Sequence, residues 1–214
     1  MMKIGILGSG DVGKTLAKGF LKYDYQLMIG SDHLEKLEEF KNENPNLEIA
    51  SFEQSAQWAD LVVLCVKGTA AEKVVEKVKN HLSGKIVVDT TNPIADAPPQ
   101  NGVLKFFTSL EESLMERLQK IAPDAQLVKA LNSVGSGLMI NPEFAGGTKP
   151  TMFICGNNED AKKKVSDIVQ KLGFEIEDMG KVESARAIEP LCILWCIPGF
   201  LKNEWTHAFK LLKK

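Results

Sequence analysis

The segment Lys3-Ile4-Gly5-Ile6-Leu7-Gly8-Ser9-Gly10-Asp11-Val12-Gly13 sets the tightest limit on what this chain can fold into. Three glycines spaced Gly-x-Gly-x-x-Gly follow an apolar, strand-like run and lead into a helical pattern over Val12–Tyr23. That context, strand before and helix after, is what a dinucleotide-binding turn requires. Each glycine then has a physical task. Gly8 makes the tight turn, Gly10 lets the backbone approach a pyrophosphate, and Gly13 lets helix and strand pack closely. The pyrophosphate would face the free amides and positive dipole end of the helix at Val12 and Gly13, with Ser9 and Asp11 beside it. Lys14-Thr15 follow the wrong glycine pattern for a Walker-type phosphate loop.

The rest of the chain repeats the same alternation. Strand patterns fall at Lys3–Leu7, Gln26–Gly30, Leu47–Ser51, Leu61–Val66, Lys85–Asp89, Gln126–Ala130, Thr151–Cys155 and Glu175–Asp178. Helical patterns lie between them at Val12–Tyr23, Leu34–Asn44, Thr69–Lys79, Ser109–Ile121 and Asp160–Leu172. Near-continuous apolar strands separated by helices predict a mostly parallel sheet covered on both faces, an α/β doubly wound fold of about eight strands. Residues 1–182 read as this dinucleotide-binding domain. Residues 183–214 read as a helical extension packed on it, interrupted near Pro190 and Pro198. Asn92 to Thr108 holds three prolines and reads as a long loop, a place where function often sits.

After the second strand come Gly30-Ser31-Asp32-His33, where the adenosine ribose should lie. A carboxylate at Asp32 favours the ribose hydroxyls of NAD, whereas Ser31, His33 and Lys36 suit a 2′-phosphate. Asp32 as a helix cap is the alternative. The local chemistry leaves NAD and NADP both open.

Beyond the glycine turn, the chain carries Gly30-Ser31, Asp89-Thr90-Thr91-Asn92-Pro93-Ile94, Lys129-Ala130-Leu131-Asn132, Pro150-Thr151 through Gly156, and Ala185-Arg186 through Leu191. In this order and spacing it resembles the NADP oxidoreductases that use a deazaflavin, coenzyme F420. The same pattern appears in the cytosolic oxidoreductase domain of six-transmembrane metalloreductases. The resemblance implies NADP as cofactor and a flavin or deazaflavin as co-substrate. In that family Ser31 would be followed by an arginine on the 2′-phosphate, assisted by Lys36. Here Ser31 and Lys36 are kept and Asp32 stands in the arginine's place, so NAD stays open.

In open α/β sheets, ligands sit beyond the carboxyl ends of the strands. Val66-Lys67-Gly68-Thr69, Thr90-Thr91-Asn92-Pro93 and Asn132-Ser133-Val134 should therefore converge on the nicotinamide. Asn92 and Asn132 offer amides to its carboxamide or ribose. Asn92-Pro93 as a plain turn, and Lys129 as a paired or snorkelling strand residue, are the alternatives. No residue presents itself as a catalytic acid or base, which fits hydride transfer between two flat rings. Arg186 and Glu189 would orient the last helix or touch the acceptor. The expected function is an oxidoreductase moving hydride between NADP(H) and a flavin-like or deazaflavin carrier. A reductase of a small carbonyl or imine substrate and a non-catalytic NADP redox sensor are the competitors.

The 26 basic and 28 acidic side chains form no basic block, so nucleic acid is not an expected partner. Apolar runs such as Leu61 to Val66 are strand-sized, and the apolar start runs into glycines, so neither a membrane span nor a signal peptide is expected. A cytoplasmic location follows. Cys65 and Cys155 lie in strand-like runs as buried thiols, and Cys192 with Cys196 share a helix face through packing. His33, His81 and His207 are scattered, so no metal is expected. Trp195 and Trp205 read as core or subunit-contact residues. The apolar stretch from Leu191 to Ile197 would cap the acceptor pocket or form a homodimer contact.

Overall fold

Strand β1 (Met2–Leu7) buries Ile4, Ile6 and Leu7 completely, and it is an interior strand of the sheet. The computed structural model describes residues 1–214. Its eight strands are β1, β2 (Tyr25–Gly30), β3 (Leu47–Ala50), β4 (Leu61–Leu64), β5 (Ile86–Asp89), β6 (Gln126–Lys129), β7 (Thr151–Gly156) and β8 (Glu175–Asp178). They form one sheet ordered β3-β2-β1-β4-β5-β6-β7-β8, in which only the β6–β7 pairing is antiparallel. The doubly wound, mostly parallel expectation therefore holds. The strand order reverses between β1 and β4, which opens a crevice beyond their carboxyl ends.

Helices α1 (Asp11–Phe20), α2 (Glu38–Glu43), α3 (Phe52–Trp58), α4 (Gly68–Val78), α5 (Leu114–Ile121) and α6 (Glu159–Lys171) cover both faces. On one face Ile4, Ile6, Leu27, Ile29 and Val63 meet Leu16 and Phe20 of α1 and Val165, Ile168 and Val169 of α6. On the other, Leu7, Val62, Leu64, Val87 and Leu127 meet Val74 and Val75 of α4 and Leu114 and Leu118 of α5. Burial on both faces is why these strands read as continuous apolar runs.

Local chemistry corrects several expected boundaries. The helix expected from Ser109 begins at Leu114, because Ser113 and Glu116 form a reciprocal capping box that fixes the start there. The Leu34–Asn44 pattern splits into a 3-10 turn, Leu34–Lys36, and α2. Helix α3 lies in a stretch to which the apolar periodicity assigned nothing. Ser51 and Gln54 cap it reciprocally, a signal of two residues in a seven-residue helix. Within the long loop, Asn101 and Gly102 both have positive φ (49° and 79°) and close a small hairpin with Gln100 bonded to Val103. A Cβ at Gly102 would stand 2.9 Å from Leu201, so the hairpin tip rests on the last helix.

The C-terminal segment comprises α7 (Ala185–Ile188) and α8 (Leu191–Lys202), preceded by a 3-10 turn at Val182–Ser184. The expected helix to residue 214 ends at Lys202. Asn203 takes a left-handed conformation (φ 56°) that stops it, and Trp205 then fills the space over Gly199. Pro198 lies inside α8 and does not interrupt it. Residues 203–214 run back without helix: Thr151 donates its N–H to the Phe209 carbonyl at 2.8 Å and Leu211 donates to Thr151 Oγ1 at 3.1 Å. The helical stretch Val182–Lys202 is long and apolar enough to cross a membrane by length and composition, which the strand-sized runs did not suggest. It is packed as part of this domain: Ala185, Ile188 and Glu189 are at most 3% exposed.

Candidate functional site

The glycine turn closes through an N–H from Gly8 to the Gly30 carbonyl at 3.1 Å. Gly8 sits at φ +138°, and a Cβ on it would meet the Cys65 carbonyl oxygen at 2.6 Å. Side chains rarely tolerate either condition. A Cβ on Gly13 would stand 2.1 Å from the Gly8 carbonyl oxygen, so α1 can approach the turn this closely only with glycine there. Gly10 caps α1 in extended conformation with no side-chain hydrogen bond, and nothing lies within 4 Å of where its Cβ would be. The amides of Asp11, Val12 and Gly13 belong to the first turn, which has no intrahelical acceptors for them. Ser9 is half-buried and Asp11 exposed at the mouth of the turn.

The end of β2 provides a second polar cluster. Ser31 is 3% exposed, donates from Oγ to Ser9 Oγ at 3.2 Å and accepts the His33 N–H at 3.0 Å. Lys36 is exposed in the following 3-10 turn. Asp32 does not cap that turn, which has no side-chain cap bond. Its carboxylate instead receives Lys77 of α4 at 2.7 Å. Lys77 also lies 3.2 Å from Glu53 of α3.

Across the crevice, the loops after β4, β5 and β6 meet. Val66 is half-buried, Lys67 is exposed, and Gly68 starts α4 so tightly that a Cβ would overlap the Asn92 carbonyl oxygen at 1.9 Å. Thr91 and Pro93 are buried on either side of Asn92. Asn92 donates to the Asn132 carbonyl at 2.8 Å, while Asn132 Nδ2 donates to Asn92 Oδ1 and to the Ile188 carbonyl, both at 3.1 Å. Two acceptors on Nδ2 fix the amide's orientation. Asn132 Oδ1 is left buried with no donor, in a residue only 4% exposed. An unmatched buried acceptor costs about 1–3 kcal/mol and calls for an explanation. The preceding Leu131 is buried with φ 59°, a strained geometry for leucine that aims Asn132. Val134 is 7% exposed behind it. The structure thus brings the expected residues to one end of the sheet, in three clusters.

Sequence reading allowed a paired Lys129 and a helix-orienting role for Arg186 and Glu189 beneath this loop, but named no partners for them. Lys129 is fully buried, 2.7 Å from Asp89 Oδ2 and 2.9 Å from Glu189 Oε1, and donates to the Thr91 carbonyl at 2.8 Å. It is paired, then, and does not snorkel. Burial pulls its pKa down, but the two carboxylates more than offset this and hold it up at about 12. Asp89 also accepts the Thr91 N–H and hydroxyl, and Glu189 accepts the N–H groups of Leu114 and Met115 at the start of α5. Arg186 binds the Glu116 carboxylate through Nε (2.9 Å) and Nη2 (2.5 Å). Arg186 and Glu189 therefore dock the C-terminal helices on α5. Both also line a cleft of about 210 Å³ with Phe106, Leu110, Pro190 and Ile193. Trp195 packs over Gly135 and stacks on His207 (centroids 5.1 Å apart), so it is a core residue.

The Arg186 pair yields a pH prediction. Its hydrogen bonds hold the Glu116 carboxyl at about 2, below the ordinary 4.5. A carboxylate depressed on folding stabilises above its unfolded pKa and loses that contribution as pH falls from about 5 to about 2. In Arg186→Gln the urea midpoint should drop at neutral pH and fall less steeply across that acid range. Parallel pH curves for the two proteins would show that the pair contributes nothing.

Residues 3–93 match the family described as NADP oxidoreductase, coenzyme F420-dependent. The F420-dependent NADP reductase of Methanocaldococcus jannaschii is 29% identical over 202 residues, covering 89% of each chain. Metalloreductase STEAP3 of Rattus norvegicus is 29% identical over 93% of this chain, which spans only 39% of that protein's length. Among solved structures, a candidate F420-dependent NADP-reductase from Arthrobacter sp. FB24 superimposes over the whole of both chains with a TM-score of 0.93 and 28% identity. The resemblance carried by the motifs holds across these comparisons.

Proposed function

We propose that this relative of the coenzyme F420-dependent NADP oxidoreductases is an NAD(P)-dependent oxidoreductase, moving hydride between NADP(H) and a deazaflavin or flavin-like carrier. The dinucleotide would lie across the crevice. Its pyrophosphate would sit on Ser9, Gly10 and the amides of Asp11, Val12 and Gly13. Its adenosine end would lie by Ser31, Asp32 and Lys36, and its nicotinamide among Val66, Lys67, Gly68, Thr91, Asn92, Pro93, Asn132 and Val134.

The carrying observation is Asn132 Oδ1, a buried acceptor without a donor beside a satisfied Asn92. A nicotinamide carboxamide N–H would satisfy it and fix which ring face is presented. Nearby titratable groups support the same chemistry. Asp89, Lys129 and Glu189 are at most 1% exposed and bonded to one another, so none is free to exchange protons with a substrate. Such a site can orient two rings and exclude water, which is what hydride transfer needs. The F420-dependent NADP reductase of Methanocaldococcus jannaschii matches over 89% of each chain, so the imine or carbonyl reductase reading is less well supported.

The exposed apolar residues Leu194, Phe200 and Leu201 of α8, with Leu110 of the long loop, support a symmetric homodimer through this face. A cytoplasmic location belongs to the same proposal.

The test is titration with NADPH and NADH by bound-cofactor fluorescence, followed by F420, FMN or FAD while the 340 nm band is watched. Loss of that band with one carrier is expected. Tight binding without turnover on any carrier would shift support to the sensor, and no binding would end the dinucleotide reading. Asn132→Ala should raise KM for the nicotinamide cofactor about tenfold, since a well-placed hydrogen bond in a buried site contributes about 1–1.5 kcal/mol. Unchanged kinetics would remove Asn132 from the site.

A further inference from the structure

Asp32 is the feature of this site that does not suit NADP, because a free carboxylate there repels a 2′-phosphate and binds ribose hydroxyls instead. The structure does not leave it free. Lys77, in the last turn of α4, reaches the Asp32 carboxylate at 2.7 Å. Glu53, in the first turn of α3, holds the same ammonium at 3.2 Å, and the Phe52 ring lies 5.9 Å beneath it. Three separate elements, the β2 loop, α3 and α4, thereby fix one charge contact. Ser31 takes no part in it. Its hydroxyl remains with Ser9 and the His33 amide, and Lys36 remains exposed with no ion-pair partner. Of the groups able to meet a phosphate, Lys36 is therefore unpaired, Ser31 is held in place by Ser9 and the His33 amide, and His33 Nδ1 lies 3.3 Å from Glu35, while the carboxylate able to meet ribose hydroxyls is occupied by Lys77.

We propose that Lys77 is a specificity-determining residue for the cofactor. It neutralises the Asp32 carboxylate and ties it to α3 and α4, so the adenosine site accepts a 2′-phosphate despite lacking an arginine after Ser31. Lys77 acts through Asp32 and is a positioning residue. This inference rests on the dinucleotide reading above.

A double-mutant cycle with two cofactors tests it. NADPH and NADH are titrated against the wild type, Lys77→Gln, Lys77→Arg, Asp32→Asn and the Lys77→Gln/Asp32→Asn double variant. The wild type should bind NADPH more tightly than NADH. Lys77→Gln should reduce that preference about tenfold, the size expected for exposing a carboxylate beside a phosphate dianion in a solvent-accessible site. Lys77→Arg keeps the charge and should keep the preference. In the Asp32→Asn background, the Lys77→Gln change should alter the ratio less than twofold, because no carboxylate is left to release.

A merely structural role for Lys77 would weaken both cofactors equally and leave the ratio unmoved. An unmoved ratio, an equal change in the Asp32→Asn background, or a wild type preferring NADH would each overturn the inference. Failure of the wild type to bind either cofactor would instead overturn the dinucleotide reading, taking this inference with it.

Discussion

Lys129→Met is expected to lower folding stability by about 3–5 kcal/mol, the range for removing one partner from a buried ion pair. For a chain of this size that is a fall in Tm of roughly 6–20 °C. Lysine and methionine have similar lengths, so packing changes little and the loss is electrostatic. Two fully buried carboxylates, Asp89 and Glu189, would lose their common cation. Their remaining donors are the Thr91 N–H and hydroxyl for Asp89, and the Leu114 and Met115 amides for Glu189. Hydrogen bonds to a charged group contribute about 1.5–3 kcal/mol each and do not match the several kcal/mol of desolvation per buried ion.

The sign with pH follows from the raised pKa. Lys129 is held at about 12, so its contribution is complete below the ordinary lysine value of 10.5 and is lost only as pH rises through about 12. The deficit in Lys129→Met should accordingly be constant from about pH 6 to about pH 9. Adding Asp89→Asn and Glu189→Gln should restore part of the loss, because the uncompensated charge is then gone. A urea midpoint within experimental error of wild type for Lys129→Met would show that the buried trio does not join β5, β6 and the C-terminal helices. Cofactor affinity should fall as well, since the Thr91 carbonyl, next to Asn92, loses its donor.

These long-range pairs also mark where the sequence stops being legible. The alternation of apolar strands with amphipathic helices is local, and it located all eight strands and the glycine turn to within a residue or two. Lys129 and Glu189 are sixty positions apart, and Lys77 and Asp32 forty-five, so no window of sequence contains both members of either pair. What makes a lysine in a strand a buried anchor is the meeting of β6 with Asp89 of β5 and with Glu189 just after α7, which only the fold decides. Leu131 at φ 59° is another such case, because leucine carries no local preference for that geometry.

Other omissions were legible in principle. Ser51 with Gln54 is a capping box, and Asn101-Gly102 is a hairpin turn, but each signal is shorter than the windows that periodicity needs. The tail from Asn203 mixes aromatic and leucine residues at helix-like spacing. Its conformation is set by Trp205 settling over Gly199 and by the bonds of Phe209 and Leu211 to Thr151.

Gly10→Ala should separate binding from folding at the turn. No atom lies within 4 Å of the added methyl, and the backbone there (φ −79°, ψ −175°) is open to any residue. Losing a favourable glycine N-cap costs a few tenths of a kcal/mol or somewhat more, and the reduced entropy of the unfolded chain offsets about as much, so stability should stay within about 0.5 kcal/mol. The methyl would nonetheless stand where a pyrophosphate must approach the α1 amides. Losing one or two charge-assisted hydrogen bonds raises the Kd for NADPH about a hundredfold. Gly13→Ala should behave in the opposite way. Its methyl meets the Gly8 carbonyl oxygen at 2.1 Å, a backbone atom that cannot swing aside, so helix and turn must part at a cost of about 1–3 kcal/mol even without cofactor. Urea unfolding and NADPH titration on both variants check the contrast. Wild-type affinity in Gly10→Ala would mean that the pyrophosphate does not approach this backbone, because nothing within the protein itself requires a glycine at that position.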